Sequence, residues 1–305
     1  MITVGIPFLN AERTLADAIR SVFAQSDPDW ELVLVDDGST DGSLDIARSV
    51  RDPRVRVLSD GPRRGLAVRL NQIIDEARGE LIARLDADDM MSPRRFARCL
   101  PALEDANVDL VTSAMAILGR HDRVVSVRGG GHGVGDPLAL LRARGVAHAP
   151  SVGRRDWWRS NRYDESLMRS EDLELWCRAT AAGNLRVDNL VVLEDALYFC
   201  REGASVAVGK LMRSHRVVRS MIRLYGPGWI GRAATARELA RSYLRTAAVV
   251  VLSGAGVLGP AAVVARNGVN LSRRSFDELQ REVDAAKAAI VPGILSGGSD
   301  GSAPR

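Results

Sequence analysis

The strongest chemical signal in this chain is a group of carboxylates at the end of an apolar run. Asp86, Asp88 and Asp89 follow residues 81–85, which predict a buried strand. Carboxylates this close repel one another and lose hydration, so the arrangement needs a cation, a hydrogen-bonding ligand or open water. The simplest partner is a divalent metal. Hard oxygen ligands favour Mg²⁺ or Mn²⁺, which usually take their other ligands from water and substrate phosphates.

A second acidic strand end lies earlier in the chain. The apolar run 31–35 leads directly into Asp36 and Asp37. In an open α/β sheet, ligands bind beyond the carboxyl ends of the strands, so acids at two strand ends can meet in one crevice. The two sites together predict a phosphate-bearing ligand that is held through a metal.

Five segments occur in a recognisable order. They are VGIPFLNAE at 4–12, SVFAQ at 21–25, VDDGSTDG at 35–42, LDADD at 85–89 and SEDLELW at 170–176. This ordered set resembles the signature of family 2 glycosyltransferases with the GT-A fold, and the resemblance covers roughly residues 1–205. It implies an α/β fold in which a Rossmann-like, mostly parallel sheet is flanked by helices.

The resemblance implies roles for the acids at the strand ends. Asp88 would hold the metal that bridges the donor diphosphate, and Asp86 would contact the ribose. Asp37 would accept the imino N–H of the donor base, with Asp36 as the adjacent alternative. Uracil and guanine both offer such an N–H, so the base is not fixed. For residues 86–89, the alternative is a solvated turn that caps the following helix.

The resemblance assigns further residues to the donor side, namely Pro7, Asn10, Glu12, Arg64 and Arg201. Glu12 would reach the nucleoside, although an acid in the first turn of a helix also favours the helix dipole. Arg64 would contact phosphate, or it is simply an exposed arginine. Gly203 stands where many family members have histidine, which leaves Arg201 as a substitute contact for the diphosphate.

Asp172 is the expected catalytic base by the same resemblance. An inverting transfer needs a base that takes the proton of the acceptor hydroxyl, and partial burial would raise the pKa of a carboxylate toward neutrality. The alternative is an acid that stabilises the helix dipole. His148, Trp157, Glu171 and Trp176 are expected on the acceptor side. Core packing is the rival interpretation for Trp157 and the favoured one for Trp176.

Strands and helices alternate in the pattern that would position these residues. Strand patterns lie at about 2–8, 31–36, 54–59 and 80–85, and helix patterns at about 12–25, 43–51, 65–77 and 93–105. This alternation is typical of a parallel sheet wrapped by helices. Ser92 is expected as the N-cap of the fourth helix and Pro93 as its first residue. Further strands are predicted at 108–118 and 123–127, a helix ended by glycine at 171–183, and two short strands or one bent strand at 190–201.

The expected domain organisation follows from these patterns. Residues 1–205 form the GT-A domain, with the nucleotide-binding part at about 1–118 and the acceptor part at 119–205. Residues 206–295 form a helical C-terminal extension, and 296–305 a disordered tail.

Composition excludes several classes of protein. With 46% hydrophobic residues in 305, the chain can bury a globular core, and a net charge of +4 gives no case for bulk nucleic-acid binding. Three widely spaced cysteines and four histidines indicate neither disulfides nor zinc. The N-terminus leads straight into a strand pattern without a signal peptide, which predicts a cytoplasmic protein.

The C-terminal third carries a basic amphipathic pattern. Its basic residues recur at three- and four-residue spacing: Lys210, Arg213, Arg216, Arg219 and Arg223. Such a helix could lie on the inner face of an anionic membrane, or it could pack on the catalytic domain with its arginines in solvent. Residues 246–265 are uncharged, but their glycines and proline favour two short packed helices over a membrane span.

The sequence therefore predicts an inverting, metal-dependent glycosyltransferase of the hexosyltransferase type. The donor would be a nucleotide-diphospho-sugar, with UDP preferred and GDP or dTDP behind it. The acceptor hydroxyl would belong to a glycan, a glycolipid or another lipid-linked acceptor, or a small-molecule secondary metabolite. Two alternatives are a sugar nucleotidyltransferase, which would release pyrophosphate, and a non-catalytic module that binds nucleotide-sugars.

Overall fold

The computed structural model describes residues 1–201, 208–254 and 273–294. The strands of this described part are β1 Ile2–Phe8, β2 Trp30–Asp36, β3 Val55–Ser59, β4 Leu81–Arg84, β5 Met90–Met91, β6 Leu110–Leu118, β7 Val124–Arg128, β8 Val152–Arg154 and β9 Leu190–Arg201. Its helices are α1 Leu15–Phe23, α2 Ser43–Ser49, α3 Leu66–Glu76, α4 Arg95–Leu103, α5 Pro137–Leu141, α6 Arg155–Ser160, α7 Glu171–Ala181, α8 Val208–Trp229, α9 Arg232–Gly254 and α10 Arg273–Ala288.

All of these strands belong to one sheet. The order is β3-β2-β1-β4-β8-β6-β9-β5, with β7 paired to β6. The first four strands are parallel neighbours, so their carboxyl ends meet at one edge. Beyond them, β8 runs antiparallel between β4 and β6, while β6 and β9 are parallel. The α/β class and the parallel first half predicted from the sequence are confirmed.

The parallel half is covered on both faces. Every residue of β1 and β2 is buried, as expected for strands between two helical layers. In β2, Leu32 and Leu34 pack on the α1 side, whereas Val33 and Val35 pack on the α3 side. Gly5 of β1 lets α3 approach, because a Cβ there would lie 2.4 Å from Ile73. This close packing fixes the strand ends that carry the acidic residues.

The start of α4 differs from the prediction. α4 begins at Arg95 and not at Pro93, although Ser92 Oγ still accepts the N–H of Arg94 at 3.2 Å, as a residue that caps a helix start does. The backbone N–H of Ser92 bonds Leu197 O at 3.1 Å, beside the β5–β9 pair, so strand pairing extends through Ser92 and displaces the helix start. The predicted end of α7 at a glycine is confirmed, because Gly183 follows the helix in a left-handed conformation with φ +74°.

The segment 190–201 forms one strand. Its pairing with β6 shifts register at Ser113–Ala114 and Ala114–Met115. The interpretation as one bent strand is therefore confirmed over the alternative of two short ones.

The C-terminal helices pack on two different parts of the sheet assembly. Met221 and Ile222 of α8 join the apolar cluster that contains the buried side of α7. Leu279 and Val283 of α10 instead pack with Met90 of β5 and the end of β9. In the described residues, no helix is long and apolar enough to cross a membrane. The predicted tail at 296–305, and residues 255–265 of the uncharged run, lie outside the described part.

Candidate active site

The acidic strand ends of β2 and β4 lie at the same edge of the sheet, next to a polar cleft of about 340 Å³. Pro7 at the end of β1 and Asn10 just after it line this cleft, and Asp86 and Asp88 line it from the segment after β4. Parallel pairing of β1 with β4 brings these segments together. The structure thus unites donor-side residues that are separated by more than seventy positions in the chain.

Arg84 positions the carboxylate of Asp86. Its Nε and Nη2 donate to Asp86 Oδ1 at 3.0 and 2.7 Å, and its Nη1 contacts the ring of His148. Arg84 is only 8% exposed, so water competes little for its charge. The pair leaves the second oxygen of Asp86 without a hydrogen bond among the described residues. That oxygen can accept a hydrogen bond from a hydroxyl of a ligand.

Asp88 is the second acid that lines the cleft. It is exposed, and no other described residue donates a hydrogen bond to its carboxylate. Displacement of water by the surrounding protein and the nearby charge of Asp86 both raise the pKa of Asp88. Asp89 points elsewhere, since it is buried and accepts the N–H of Arg201 at 2.8 Å. A cation beside Asp88 would relieve the repulsion that raises its pKa.

These acids fit a metal that takes few ligands from protein. In residues 1–201, 208–254 and 273–294 there is no group of three or more His, Cys, Asp or Glu side chains that could hold a metal. Mg²⁺ and Mn²⁺ are commonly bound through one or two carboxylates together with substrate phosphates and water. The donor set at Asp86 and Asp88 matches that mode and does not match an all-protein cage.

Asp37 is held in a dense set of donors. Its Oδ1 accepts the N–H groups of Arg64 and Gly65 at 2.7 and 3.0 Å and Arg69 Nε at 2.9 Å. Arg69 is fully buried, and it also bonds Asp60. Within the described part of the chain, Asp37 Oδ2 accepts only the longer bond from Gly65, at 3.1 Å. The ion pair fixes the carboxylate and leaves one oxygen with capacity for another N–H.

The remaining acids and amides of this edge build the loop at residues 36–42. Asp36, Asn10 and Glu12 each accept a backbone N–H of that loop, at 2.9, 2.8 and 2.9 Å. Asn10 adopts φ +51°, a left-handed conformation that asparagine tolerates better than most residues. The described hydrogen bonds of Asp36 and Glu12 therefore hold the conformation of the loop.

The two predicted phosphate-binding arginines have different environments. Arg64 is half exposed, and its Nη1 lies 3.5 Å from Asp60. Arg201 is mostly buried, and its guanidinium bonds Asp17 at 2.8 Å and Asp122 at 2.7 Å. Two carboxylates pair with the Arg201 guanidinium, whose Nη1 also lies 3.4 Å from the backbone O of Asp88, and its charge lowers the pKa of Asp88. Arg64 is free to reorient towards a ligand.

Asp172 lies at the start of α7. It is partly buried, and burial raises its pKa, while the N–H of Leu173 at 2.8 Å and the charge of Arg84 oppose that effect. Glu171 is 8% exposed, and burial together with the charge of Asp172 raises its pKa as well. Ser170, just before the helix, adopts φ +56°. Strained backbone of this kind is found preferentially at functional sites.

The predicted acceptor-side aromatics form a buried cluster. Trp157 is 6% exposed and Trp176 is 2% exposed, and both rings pack against Trp158. His148 Nε2 lies 2.7 Å from Tyr163 Oη, and burial followed by the charge of Arg84 lowers the pKa of His148 well below its ordinary value. The structure therefore places the tryptophans in the core, the interpretation that rivalled acceptor contact.

Sequence reasoning missed Arg84 and Arg69. Arg84 joins Asp86 to His148 and so connects the donor and acceptor sides, whereas Arg69 neutralises Asp37. Both had a detectable signal, since each is an arginine inside an apolar pattern. Arg84 interrupts the apolar run of β4, and Arg69 lies four residues before Ile73 on the buried face of α3. A charge at such a position needs a buried partner.

Comparisons with known proteins agree with this geometry. The family model "Glycosyl transferase family 2" matches residues 3–124. The putative glycosyltransferase EpsE of Bacillus subtilis (strain 168) is 32% identical over 210 residues, which are 66% of this chain and 73% of that protein. The succinoglycan biosynthesis protein ExoU of Rhizobium meliloti (strain 1021) is 31% identical over 233 residues, which are 71% of this chain and 65% of that protein.

Two solved structures share the fold. TarS 1-349 of S. aureus in complex with UDP-GlcNAc has a TM-score of 0.58 at 18% identity, with 79% of this chain and 71% of that chain covered. The mannosyltransferase PcManGT of Pyrobaculum calidifontis in complex with GDP-Man and Mn²⁺ has a TM-score of 0.57 at 19% identity, with 93% and 85% covered.

Proposed function

The chain belongs to glycosyl transferase family 2 and is a transferase, and from that premise we propose that it moves a sugar from a nucleotide-diphospho-sugar to an acceptor hydroxyl with inversion of configuration. One observation supports this most directly. Arg84 donates to Asp86 at 2.7 Å and contacts His148, whose ring lies 5.4 Å from that of Trp176 in α7, the helix that also carries Asp172. A donor and an acceptor can therefore share one site.

On the donor side, each acid has a task suited to its surroundings. Asp88, whose carboxylate accepts no hydrogen bond from another described residue, would hold Mg²⁺ or Mn²⁺, and Asp86 would accept a ribose hydroxyl. Asp37 would accept the imino N–H of the base through Oδ2. The metal would supply charge neutralisation of the departing diphosphate. We prefer a UDP-sugar, because TarS is solved with UDP-GlcNAc, with a GDP-sugar second, because PcManGT is solved with GDP-Man.

On the acceptor side, Asp172 would act as the general base. It would accept the hydroxyl proton as the oxygen attacks the anomeric carbon from the face opposite the diphosphate. The raised pKa makes its carboxylate a stronger base than an ordinary aspartate. Glu171, beside it, would bind another hydroxyl of the acceptor.

The acceptor that we propose is a glycan or lipid-linked glycan of the cell envelope. Relatives of this chain are named for teichuronic acid and succinoglycan biosynthesis.

Thermal unfolding of the purified full chain tests the donor site. It would be followed with UDP, GDP and dTDP, each with and without Mn²⁺, in wild type, Asp88→Asn and Asp188→Asn. Asp188 is 71% exposed and pairs with Arg186, so its variant is a matched loss of one carboxylate outside the cleft. A ligand that binds the native state raises the unfolding midpoint.

We expect a manganese-dependent rise with UDP that Asp188→Asn keeps and Asp88→Asn loses. The same samples, given a panel of UDP-sugars and envelope glycans, should release nucleoside diphosphate. Release of pyrophosphate instead would indicate a nucleotidyltransferase. No midpoint shift with any nucleotide would refute the donor-site assignment.

A further inference from the structure

The outer face of α9 is apolar and uncovered by the described residues. Its side chains follow the spacing i, i+4, i+7, i+8 and i+11, which puts them on one side of a helix, at Ala240, Leu244, Ala247, Ala248 and Val251. All five are exposed, Leu244 by 72% and Val251 by 68%. An exposed apolar stripe of this kind marks an interaction surface.

Arginines border the stripe along α9 itself. Arg237, Arg241 and Arg245 recur every four residues, and all are exposed. Arg237 lies at the N-terminal end of the stripe, and Arg241 and Arg245 lie beside it, on the flank that carries Glu238. Glu238 itself bonds Arg142 and Arg241. Three positive side chains thus border the apolar face.

Helix α8 supplies basic side chains along the other edge. Arg219 lies with its guanidinium 4.6 Å from the ring centroid of Tyr243, and Arg223 donates to Tyr243 Oη at 2.5 Å. Arg216, one turn earlier on α8, is exposed. We call the stripe and these six arginines the α8–α9 face. An apolar centre with a basic rim is the pattern of an interfacial helix.

Charge is strongly segregated to this part of the molecule. Residues 208–254 contain nine arginines and lysines and one acid, Glu238, whereas the whole chain has a net charge of only +4. The rest of the chain is therefore net negative. The field near α8 and α9 attracts anions and repels a second copy of the same face.

We propose that the α8–α9 face docks the protein on the surface of an anionic lipid bilayer. Leu244 and Val251 enter the boundary between headgroups and acyl chains, and the arginines bind lipid phosphates. A nucleic acid would leave the apolar stripe without a partner, and self-association would bring like charges together. An anionic bilayer offers acyl chains to the apolar stripe and phosphates to the arginines.

Helix α8 also contacts the segment that precedes the proposed catalytic base. Ser214 Oγ of α8 lies 3.3 Å from Ser170 Oγ, and Ser170 precedes Asp172 by two residues. A protein held by α8 and α9 therefore has the start of α7 close to its membrane-bound part. A hydroxyl on a lipid-linked glycan would reach the site from that side.

Vesicle co-sedimentation of the full chain, without donor or acceptor, tests this proposal independently of the proposed transfer reaction. The vesicles are phosphatidylcholine alone and phosphatidylcholine mixed with phosphatidylglycerol, at low and high salt. The test variants are Leu244→Ser with Val251→Ser, and Arg216→Gln with Arg237→Gln. The matched controls are Val187→Ser, at a valine that is 70% exposed elsewhere, and Arg186→Gln, at an exposed arginine outside the face.

We expect binding to the anionic vesicles only, weakened by salt. Removal of two arginines should weaken it roughly 30-fold, since each basic residue near an anionic surface contributes roughly fivefold. The serine pair should weaken it about tenfold or more through lost apolar insertion. Both controls should bind like wild type.

Absence of binding to anionic vesicles would overturn the proposal, as would binding that both double variants retain. Sedimentation velocity on the same samples measures the oligomeric state and so tests whether a second copy of the chain covers the face. A dimer that Leu244→Ser and Val251→Ser abolish, with no vesicle binding, would assign the face to a second copy of the chain and refute the membrane.

Discussion

Replacement of Asp172 by asparagine separates catalysis from binding at the proposed site. The side chain keeps its size, and its Oδ1 can still accept the N–H of Leu173, now 2.8 Å away. It can no longer take a proton from an acceptor hydroxyl. A positioned general base contributes about 10²- to 10⁴-fold to rate, so kcat should fall by that factor, a barrier increase of about 3 to 5.5 kcal/mol.

The same substitution should alter two pH-dependent properties. Burial raises the pKa of Asp172, and only its deprotonated form can act as a base. The kcat of wild type should therefore rise as the pH increases through this raised pKa. The variant should lack this acid limb. An acid whose pKa is higher in the folded than in the unfolded chain destabilises the fold above that pKa. Asp172→Asn should therefore unfold at a higher temperature than wild type at pH 7.

The assay is release of nucleoside diphosphate in the presence of acceptor, with nucleotide binding measured separately by thermal shift. Glu174→Gln is the matched control, since Glu174 lies in the same first turn of α7 but bonds Arg178 at 2.8 Å. Its kcat should stay close to that of wild type, because Glu174 makes an ion pair with Arg178 and has no part in the proposed proton transfer. The reasoning is refuted if Asp172→Asn keeps more than about a tenth of wild-type kcat, or if Glu174→Gln falls as far.

Three other substitutions probe the arginines and the acid–base network. Arg84→Met should weaken nucleotide binding and move the acid limb of kcat to higher pH, because the Arg84 charge lowers the pKa of Asp172; an unchanged pH profile would contradict this. Arg69→Met leaves Asp37 buried without its cation and should cost about 3–5 kcal/mol in urea unfolding, and a loss under about 1 kcal/mol would disprove the buried pair. Hydrogen bonds from Arg201 and Lys287 lower the pKa of Asp122 from its ordinary value of 3.8 to about 2. The ionised carboxylate therefore stabilises the fold at pH 7, and this stabilisation is lost as the pH falls from 3.8 toward 2. The difference in unfolding free energy between wild type and Asp122→Asn should shrink over the same pH range.

The parallel half of the fold was readable because its signals are local. Apolar runs of strand length, each followed by acids, gave β2 and β4 and the edge at which Asp37 and Asp86 lie. The start of α4 was wrong because pairing of β5 with β9, more than a hundred residues later, extends the strand through Ser92. Tertiary pairing overrode a local helix-start signal there.

The site was predictable in its acids and not in its cations. The position of a carboxylate directly after a strand pattern is enough to predict that it lies at the sheet edge. The contact of Arg84 with His148, 64 residues later in the chain, depends instead on the pairing of β8 with β4, which the sequence does not indicate. The tryptophans were ambiguous because an acceptor wall and a core need the same side chains; α6 packing on α7 buries Trp157 and Trp176. The roles of the individual site residues, and the domain boundary near 205, stay predictions.

The packing of α10 has a consequence for biosynthesis. Leu279 and Val283 complete the apolar cluster around Met90, and the N–H of Arg51 bonds Pro292 O at 2.8 Å. At ribosomal rates, the roughly 190 residues from Met90 to Val283 take about 10–40 s to be made. Throughout that interval, the nascent polypeptide keeps apolar surface of its early strands uncovered on the ribosome. Folding of the N-terminal half therefore ends only after α10 has emerged, and chaperones that bind nascent chains have that window in which to act.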